Sequence, residues 1–301
     1  MRAQADDRHP DLRAALENLL AAGGKRIRPR LVLLMGNMLG ADPERLITLA
    51  AAIEMLHTAT LVHDDLIDGS LLRRGNETLN ANWPPAATVL TGDFVFARAA
   101  KLAAQTGSLT VMEEFAETLA IMVNGELTQM FDARGLANRG NYYERIYAKT
   151  GSLFELSTHG AAIISPVDAK IVANARNFGR ELGTAFQIVD DILDFTGDQA
   201  AVGKPVGSDL LQGLITLPAL YYIEDNPKDE NVQSLLNGHY HNEKEMALLV
   251  EAIRQSDAIQ RSLEEAKDYA RRALLSLNGH PPSEERDALE NLAEYITNRN
   301  V

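Results

Sequence analysis

Two short segments of the chain carry more carboxylates than a helix tolerates without help: His63-Asp64-Asp65-Leu66-Ile67-Asp68 and Gln187-Ile188-Val189-Asp190-Asp191-Ile192-Leu193-Asp194. In each, the i, i+1, i+4 spacing groups three aspartates on one side of a helix. Like charges one turn apart repel by roughly 0.2–0.5 kcal/mol per exposed pair, and by more where partly buried. Hard divalent cations compensate such a cluster. Carboxylate oxygens suit Mg²⁺, which uses one or two protein carboxylates, keeps waters and takes its remaining ligands from substrate phosphates. One copy reads equally well as a solvated acidic helix end. Two copies, each closing an apolar run, favour paired metal sites that could face each other across a bundle and clamp a diphosphate.

A diphosphate held by metal and aspartate alone would leave oxygens without donors. Basic residues beside glycines occur at Gly23-Gly24-Lys25-Arg26-Ile27-Arg28-Pro29, at Leu72-Arg73-Arg74-Gly75, and at Lys149-Thr150-Gly151 with Gly203-Lys204-Pro205. Glycine lets backbone approach a ligand closely, and arginine donates to phosphate through a planar fork. Each group alone reads as surface charge and gains weight only beside the aspartate pair. Phosphate-loop, dinucleotide GxGxxG, HExxH and GxSxG patterns are absent, which removes the usual sequence support for nucleotide hydrolysis, hydride transfer, zinc proteolysis and esterase chemistry. His239-Tyr240-His241 lies in a polar stretch with no third ligand at metal spacing and reads as a loop. His9 and His280 read as surface, and His159 as a helix-packing residue.

The elements that must position these groups are helical. Between Pro85 and Pro166 no proline interrupts a stretch rich in Ala, Leu, Met and Glu, all good helix formers. Apolar residues recur at three- and four-residue intervals over 86–104, 109–131, 142–164 and 171–195, and no run alternates with period two. The fold class is all-α. With no long linker, composition shift or repeat, residues 1–301 read as one helical domain whose last third, from about 226, packs on the main bundle.

Composition narrows the function classes. The 301 residues carry 42 acidic against 29 basic side chains, a formal charge of −13, and no cysteine. An acidic chain lacks the basic surface a non-specific nucleic-acid binder needs. Absence of cysteine removes thiolate catalysis, disulfides, zinc fingers and iron–sulfur clusters, and fits a reducing cytoplasm. No basic-then-apolar leader opens the sequence, and no run approaches about 18 uninterrupted apolar residues. A soluble cytoplasmic enzyme is the expectation.

Taken in order, the motifs GGKRIRP, HTATLVHDDLID, LLRRGNETLN, TGDFVFARAA, KTGSLFELS, QIVDDILD and GKPVGSDLLQGLITLP resemble those of the trans-isoprenyl diphosphate (polyprenyl) synthases, from about Leu16 to Leu220. The resemblance implies an isoprenoid-synthase-type helical bundle around a deep central cavity, usually a homodimer. It implies elongation of an allylic diphosphate by head-to-tail condensation with isopentenyl diphosphate, using Mg²⁺ or Mn²⁺. It assigns Asp64, Asp65 and Asp68 with Asp190, Asp191 and Asp194 to the metals, and Arg73, Lys149 and Lys204 to the allylic diphosphate. Lys25, Arg28, His57 and Arg74 match positions that bind the diphosphate of isopentenyl diphosphate. Thr150 and Gln187 would line the reacting carbons, where a carbonyl or amide dipole stabilises an allylic cation without capturing it.

Product length follows from the helix before the first aspartates. The growing tail would pass Leu56, Ala59 and Thr60, and early-stopping members of the family place a bulky aromatic at one of the latter two. Small residues there imply a product longer than farnesyl diphosphate. A geranylgeranyl-type synthase with its stop at Leu119, Met122 or Val123 is the alternative within the fold. A non-catalytic subunit of a heteromeric synthase would lose aspartates or basic donors, and a terpene cyclase would lack GGKRIRP and the second aspartate motif. Two departures stand out: Leu214 occupies a position where many relatives carry lysine, and the helix before Gly23 is short. A long prenyl product implies transient membrane contact at release.

Overall fold

In the computed structural model, described over residues 10–21, 23–73, 75–131, 137–197, 206–238 and 242–299, the all-α expectation holds. The helices in chain order are α1 (Pro10–Ala21), α2 (Ile27–Met38), α3 (Pro43–Ile67), α4 (Leu79–Asn82), α5 (Pro85–Gln105), α6 (Leu109–Phe131), α7 (Arg139–Ile146), α8 (Ser152–Ile163), α9 (Ala169–Thr196), α10 (Ser208–Leu211), α11 (Leu217–Asp225), α12 (Glu230–Leu236), α13 (Glu243–Gln255), α14 (Ala258–Leu275) and α15 (Glu284–Thr297). Two features depart from the sequence expectation. Strands β1 (Leu72–Arg73) and β2 (Asn76–Glu77) form a small antiparallel hairpin pairing Leu72 with Glu77 and Arg73 with Asn76. A π-helical turn, Tyr147–Gly151, joins α7 to α8 inside the stretch expected to be one α-helix.

The chain divides into two compact units. One comprises residues up to Ala116 together with Leu156–Val172; the other comprises Glu117–Glu155 and the chain from Ala173 onward. The first unit is organised on α3. Asp42 caps that helix by accepting from the Arg45 amide at 3.0 Å, and Pro43 opens its first turn, the position where a missing N–H costs nothing. Leu46, Leu49, Ile53, Leu56 and Ala59 are fully buried. Each leucine or isoleucine so buried stabilises the fold by about 1.5–3 kcal/mol. α3 packs against α2 and, most extensively, α5. By length and composition α3 could cross a membrane, but most of its apolar window is buried within the molecule, as befits a core helix.

The second unit is built around α9, whose Ile188, Val189, Ile192 and Phe195 join a buried cluster with Leu217 and Leu220 of α11, Leu249 and Ile253 of α13 and Ala266 of α14. The last third of the chain packs into this same core. α15 begins at Ser283, whose hydroxyl accepts from the Arg286 amide at 3.2 Å, with three acidic residues in its first turn, the end where the helix dipole favours negative charge.

Candidate active site

In the first unit, the GGKRIRP segment enters α2 through unusual backbone. Gly23 and Gly24 have φ of 73° and 141°, and Arg26 caps the helix at φ 49°. A non-glycine residue in the left-handed region is uncommon and is held by its surroundings; here an ion pair from Arg26 to the buried Glu54 of α3 holds it. Two residues on, Arg28 Nη1 lies 3.2 Å from His57 Nε2, also on α3. Two of the four residues expected to share a diphosphate are thus in contact, at a helix N-terminus whose dipole favours anions. Lys25 stands in the same loop, and Arg74 lies outside the described residues.

The first aspartate cluster ends α3, and its carboxylates differ. Asp65 is buried and gripped by Arg73 of β1, whose Nε lies 2.8 and 3.1 Å from the two carboxylate oxygens and Nη2 2.8 Å from Oδ1. The hairpin that the sequence left unread carries this arginine. Asp64 is half-buried and Asp68, at the helix C-cap, is exposed. Upstream, Leu56 and Ala59 are fully buried, while Thr60 is half-buried with its hydroxyl turned back to the His57 carbonyl at 2.8 Å.

In the second unit, a chain of hydrogen bonds links the π turn to α9. The Thr150 hydroxyl donates to Gln187 Oε1 at 2.6 Å, Gln187 Nε2 donates to Asp191 Oδ1 at 2.8 Å, and the Tyr142 hydroxyl donates to Asp191 Oδ2 at 2.8 Å. Asp194 accepts from the Ser208 hydroxyl at 2.8 Å and from the Ser208 and Asp209 amides at 3.2 Å, so it caps α10. Asp190 pairs with Arg299 at 2.7 Å. Lys149 sits on the π turn, a geometry frequent at functional sites; Lys204 lies outside the described residues.

Electrostatics single out this second cluster. Burial pushes the Asp191 carboxyl up to about 7, with the charge of Asp209 adding to it against the lowering hydrogen bonds of Gln187 and Tyr142. Burial and the same neighbour push Asp194 up to about 6. Burial and the Asp191 charge raise Tyr142 well above the usual phenol range, so it remains a donor. Carboxylates such as Asp191 and Asp194, held where burial disfavours charge, are donors that a hard divalent cation suits. Among the described residues no three acidic or histidine side chains converge at ligating distance, in keeping with carboxylates turned toward Arg73, Arg299, Tyr142 and Ser208.

Sequence reasoning missed Tyr142, Asp209 and Arg299. Asp209 carried a signal, because it lies within GKPVGSDLLQG; the other two belong to no motif. Leu214 is half-buried, with its amide bonded to the Asp209 carbonyl at 2.9 Å. His159 is buried, its Nδ1 3.6 Å from Glu114, in line with a packing role.

Comparison with known proteins accords with this arrangement. The sequence profile described as polyprenyl synthetase matches residues 9–253. The chain is 41% identical over 283 residues to heptaprenyl diphosphate synthase component 2 of Geobacillus stearothermophilus, covering 94% of this chain and 88% of that protein. The crystal structure of heptaprenyl diphosphate synthase from Staphylococcus aureus superposes with a TM-score of 0.93 at 33% identity, over 100% of this chain and 95% of that one. That of a Caulobacter crescentus polyprenyl synthase complexed with calcium and isoprenyl diphosphate superposes with a TM-score of 0.91 at 36% identity, over 100% and 92%. With its motifs, its helices and its likeness to these proteins in agreement, the chain belongs to the polyprenyl synthetase family.

Proposed function

We propose that this chain is a divalent-metal-dependent prenyltransferase that joins isopentenyl diphosphate head to tail onto an allylic diphosphate, giving products longer than farnesyl diphosphate. The observation that carries the reading is the bonded chain Thr150–Gln187–Asp191–Tyr142, which ties a neutral dipole pair to an aspartate of the metal-type cluster. Asp64, Asp65, Asp68, Asp190, Asp191 and Asp194 would hold Mg²⁺ or Mn²⁺, and the calcium complex of a relative supports a divalent cation. Such a cation would neutralise diphosphate charge and so improve the leaving group.

The residues of the chain supply orientation and charge. Arg73 and Lys149, with Lys204, would donate to the allylic diphosphate. Lys25, Arg28 and His57, with Arg74, would fix isopentenyl diphosphate at the α2 N-terminus. As the allylic C–O bond breaks, the isopentenyl double bond forms the new C–C bond. The departing diphosphate takes the proton lost from the isopentenyl unit. No protein nucleophile is needed, and Thr150 and Gln187, bonded to each other, would face the developing cation as dipoles.

The small side chains of Ala59 and Thr60, with Leu56 one turn before, are in keeping with a long prenyl tail, and the heptaprenyl relatives support its length. Val123, Leu127, Met130 and Phe131 lie on one face of α6 and are exposed; this apolar stripe supports a dimer between copies of the chain. The word component in a relative's name favours a second reading, in which the chain works with a different subunit. Incubating the purified chain alone with farnesyl diphosphate, radiolabelled isopentenyl diphosphate and Mg²⁺ separates the two. Incorporation abolished by EDTA supports a self-sufficient enzyme. No incorporation until another subunit is added supports the heteromer.

A further inference from the structure

Arg299 follows the end of α15, where a side chain is ordinarily free to sit in water. Instead only 14% of it is exposed. Its Nη1 lies 2.7 Å from Asp190 Oδ1, and its Cζ stands 4.9 Å from the centroid of the Phe186 ring. Phe186 and Asp190 are four residues apart on α9, so ring and carboxylate present one face and the guanidinium covers both. Asp191 and Asp194, by contrast, accept from the neutral donors Tyr142, Gln187 and Ser208. Among the described residues, Asp190 is the member of the triad that is hydrogen-bonded to a cationic side chain.

We infer that Arg299 is a displaceable counter-ion of the second aspartate cluster, which competes with the divalent cation for Asp190 and couples metal loading to release of the C-terminal end of the chain. The inference rests on the reading of Asp190 as a metal ligand. A guanidinium at 2.7 Å holds one of the two Asp190 oxygens, and a metal on the same carboxylate would repel it. Binding of the metal therefore favours parting of the Asp190 pair and the Phe186 stack. A doubly charged ion at shorter range outcompetes a single delocalised charge, so exchange runs toward the metal as its concentration rises. The freed segment carries Arg299 away from the cluster while the hydrogen bonds to Asp191 and Asp194 hold the remaining ligands.

The test titrates Mn²⁺ into the full-length, substrate-free chain by calorimetry, with hydrogen exchange of residues 290–299 followed in parallel. Arg299→Gln removes the competitor, so Mn²⁺ affinity rises about two- to five-fold, the range of one partly exposed ion pair. Arg299→Lys, which keeps a charge, stays nearer wild type. In the wild-type chain Mn²⁺ accelerates exchange after Ile296. Unchanged or weaker Mn²⁺ binding in Arg299→Gln, or exchange insensitive to Mn²⁺, overturns the counter-ion. Asp190→Asn separates this from the underlying reading: if it leaves Mn²⁺ binding untouched, Asp190 is not a ligand and the inference falls with that assignment.

Discussion

At the scale of single residues, the second cluster is a place where burial works against charge on the carboxyls. Burial and Asp209 push Asp191 up to about 7 and Asp194 up to about 6, against about 3.9 in an unfolded chain. Between those values the native state binds more protons than the unfolded one. The stability contributed by these protons is therefore fully present below about pH 4 and is lost as pH rises to about 7. A divalent cation must displace the same protons, so its binding strengthens over that window. The stabilisation by Mg²⁺ is accordingly larger at pH 8 than at pH 5.5, read as the increment in Tm. Asp209→Asn, by removing the repulsion, shrinks the difference between the two pH values; equal increments in the wild-type chain would contradict this account of the carboxylates.

At the scale of elements, the π turn and α9 meet through a glycine contact. A Cβ at Gly183 would lie 2.7 Å from the Phe154 Cβ and 2.9 Å from the Gly151 backbone, closer than atoms pack, and neither neighbour is the loose end of a side chain. Gly183→Ala therefore pushes α9 away from the turn that carries Lys149 and Thr150, and with it Gln187 from the Thr150 hydroxyl. Overpacking of this kind costs about 1–3 kcal/mol. A lowered Tm and a kcat reduced by about ten-fold or more are expected. KM for isopentenyl diphosphate should change little, because Arg28 and His57 belong to the other unit; wild-type kcat in this variant would show that the contact does not position the site.

Elements also mark how far the sequence could be read. The 109–131 helix was legible to the residue because Gly107 stops the preceding helix and no proline or glycine pair intervenes before Phe131. The π turn was not legible, since its wider ring leaves no periodicity of its own and its setting is the tertiary approach of Gly151 to Gly183. Strands of two residues show no alternation, which hid the hairpin that presents Arg73 to Asp65. At the site, both aspartate triplets could be named from their spacing, and Arg28 and His57 from the family resemblance. Tyr142 and Arg299 reach α9 from distant sequence, and only folding reveals such partners.

At the scale of the whole molecule, the groups proposed for catalysis divide between two compact units, each with its own aspartate cluster, its own cations and its own core. The function proposed for them needs charge neutralisation, orientation and a dry apolar path, and a chain without cysteine or a Ser-His pair is suited to that chemistry. Product length tests this account most directly. Chromatography of the products from farnesyl diphosphate and isopentenyl diphosphate should show a ladder well beyond farnesyl. Ala59→Phe, introducing a ring beside buried Leu56, should end it earlier, with Thr60→Phe at the less buried neighbour as the second variant should the first fail to fold. A wild-type product that stops at farnesyl, or a ladder unchanged in folded variants at both positions, would contradict the account.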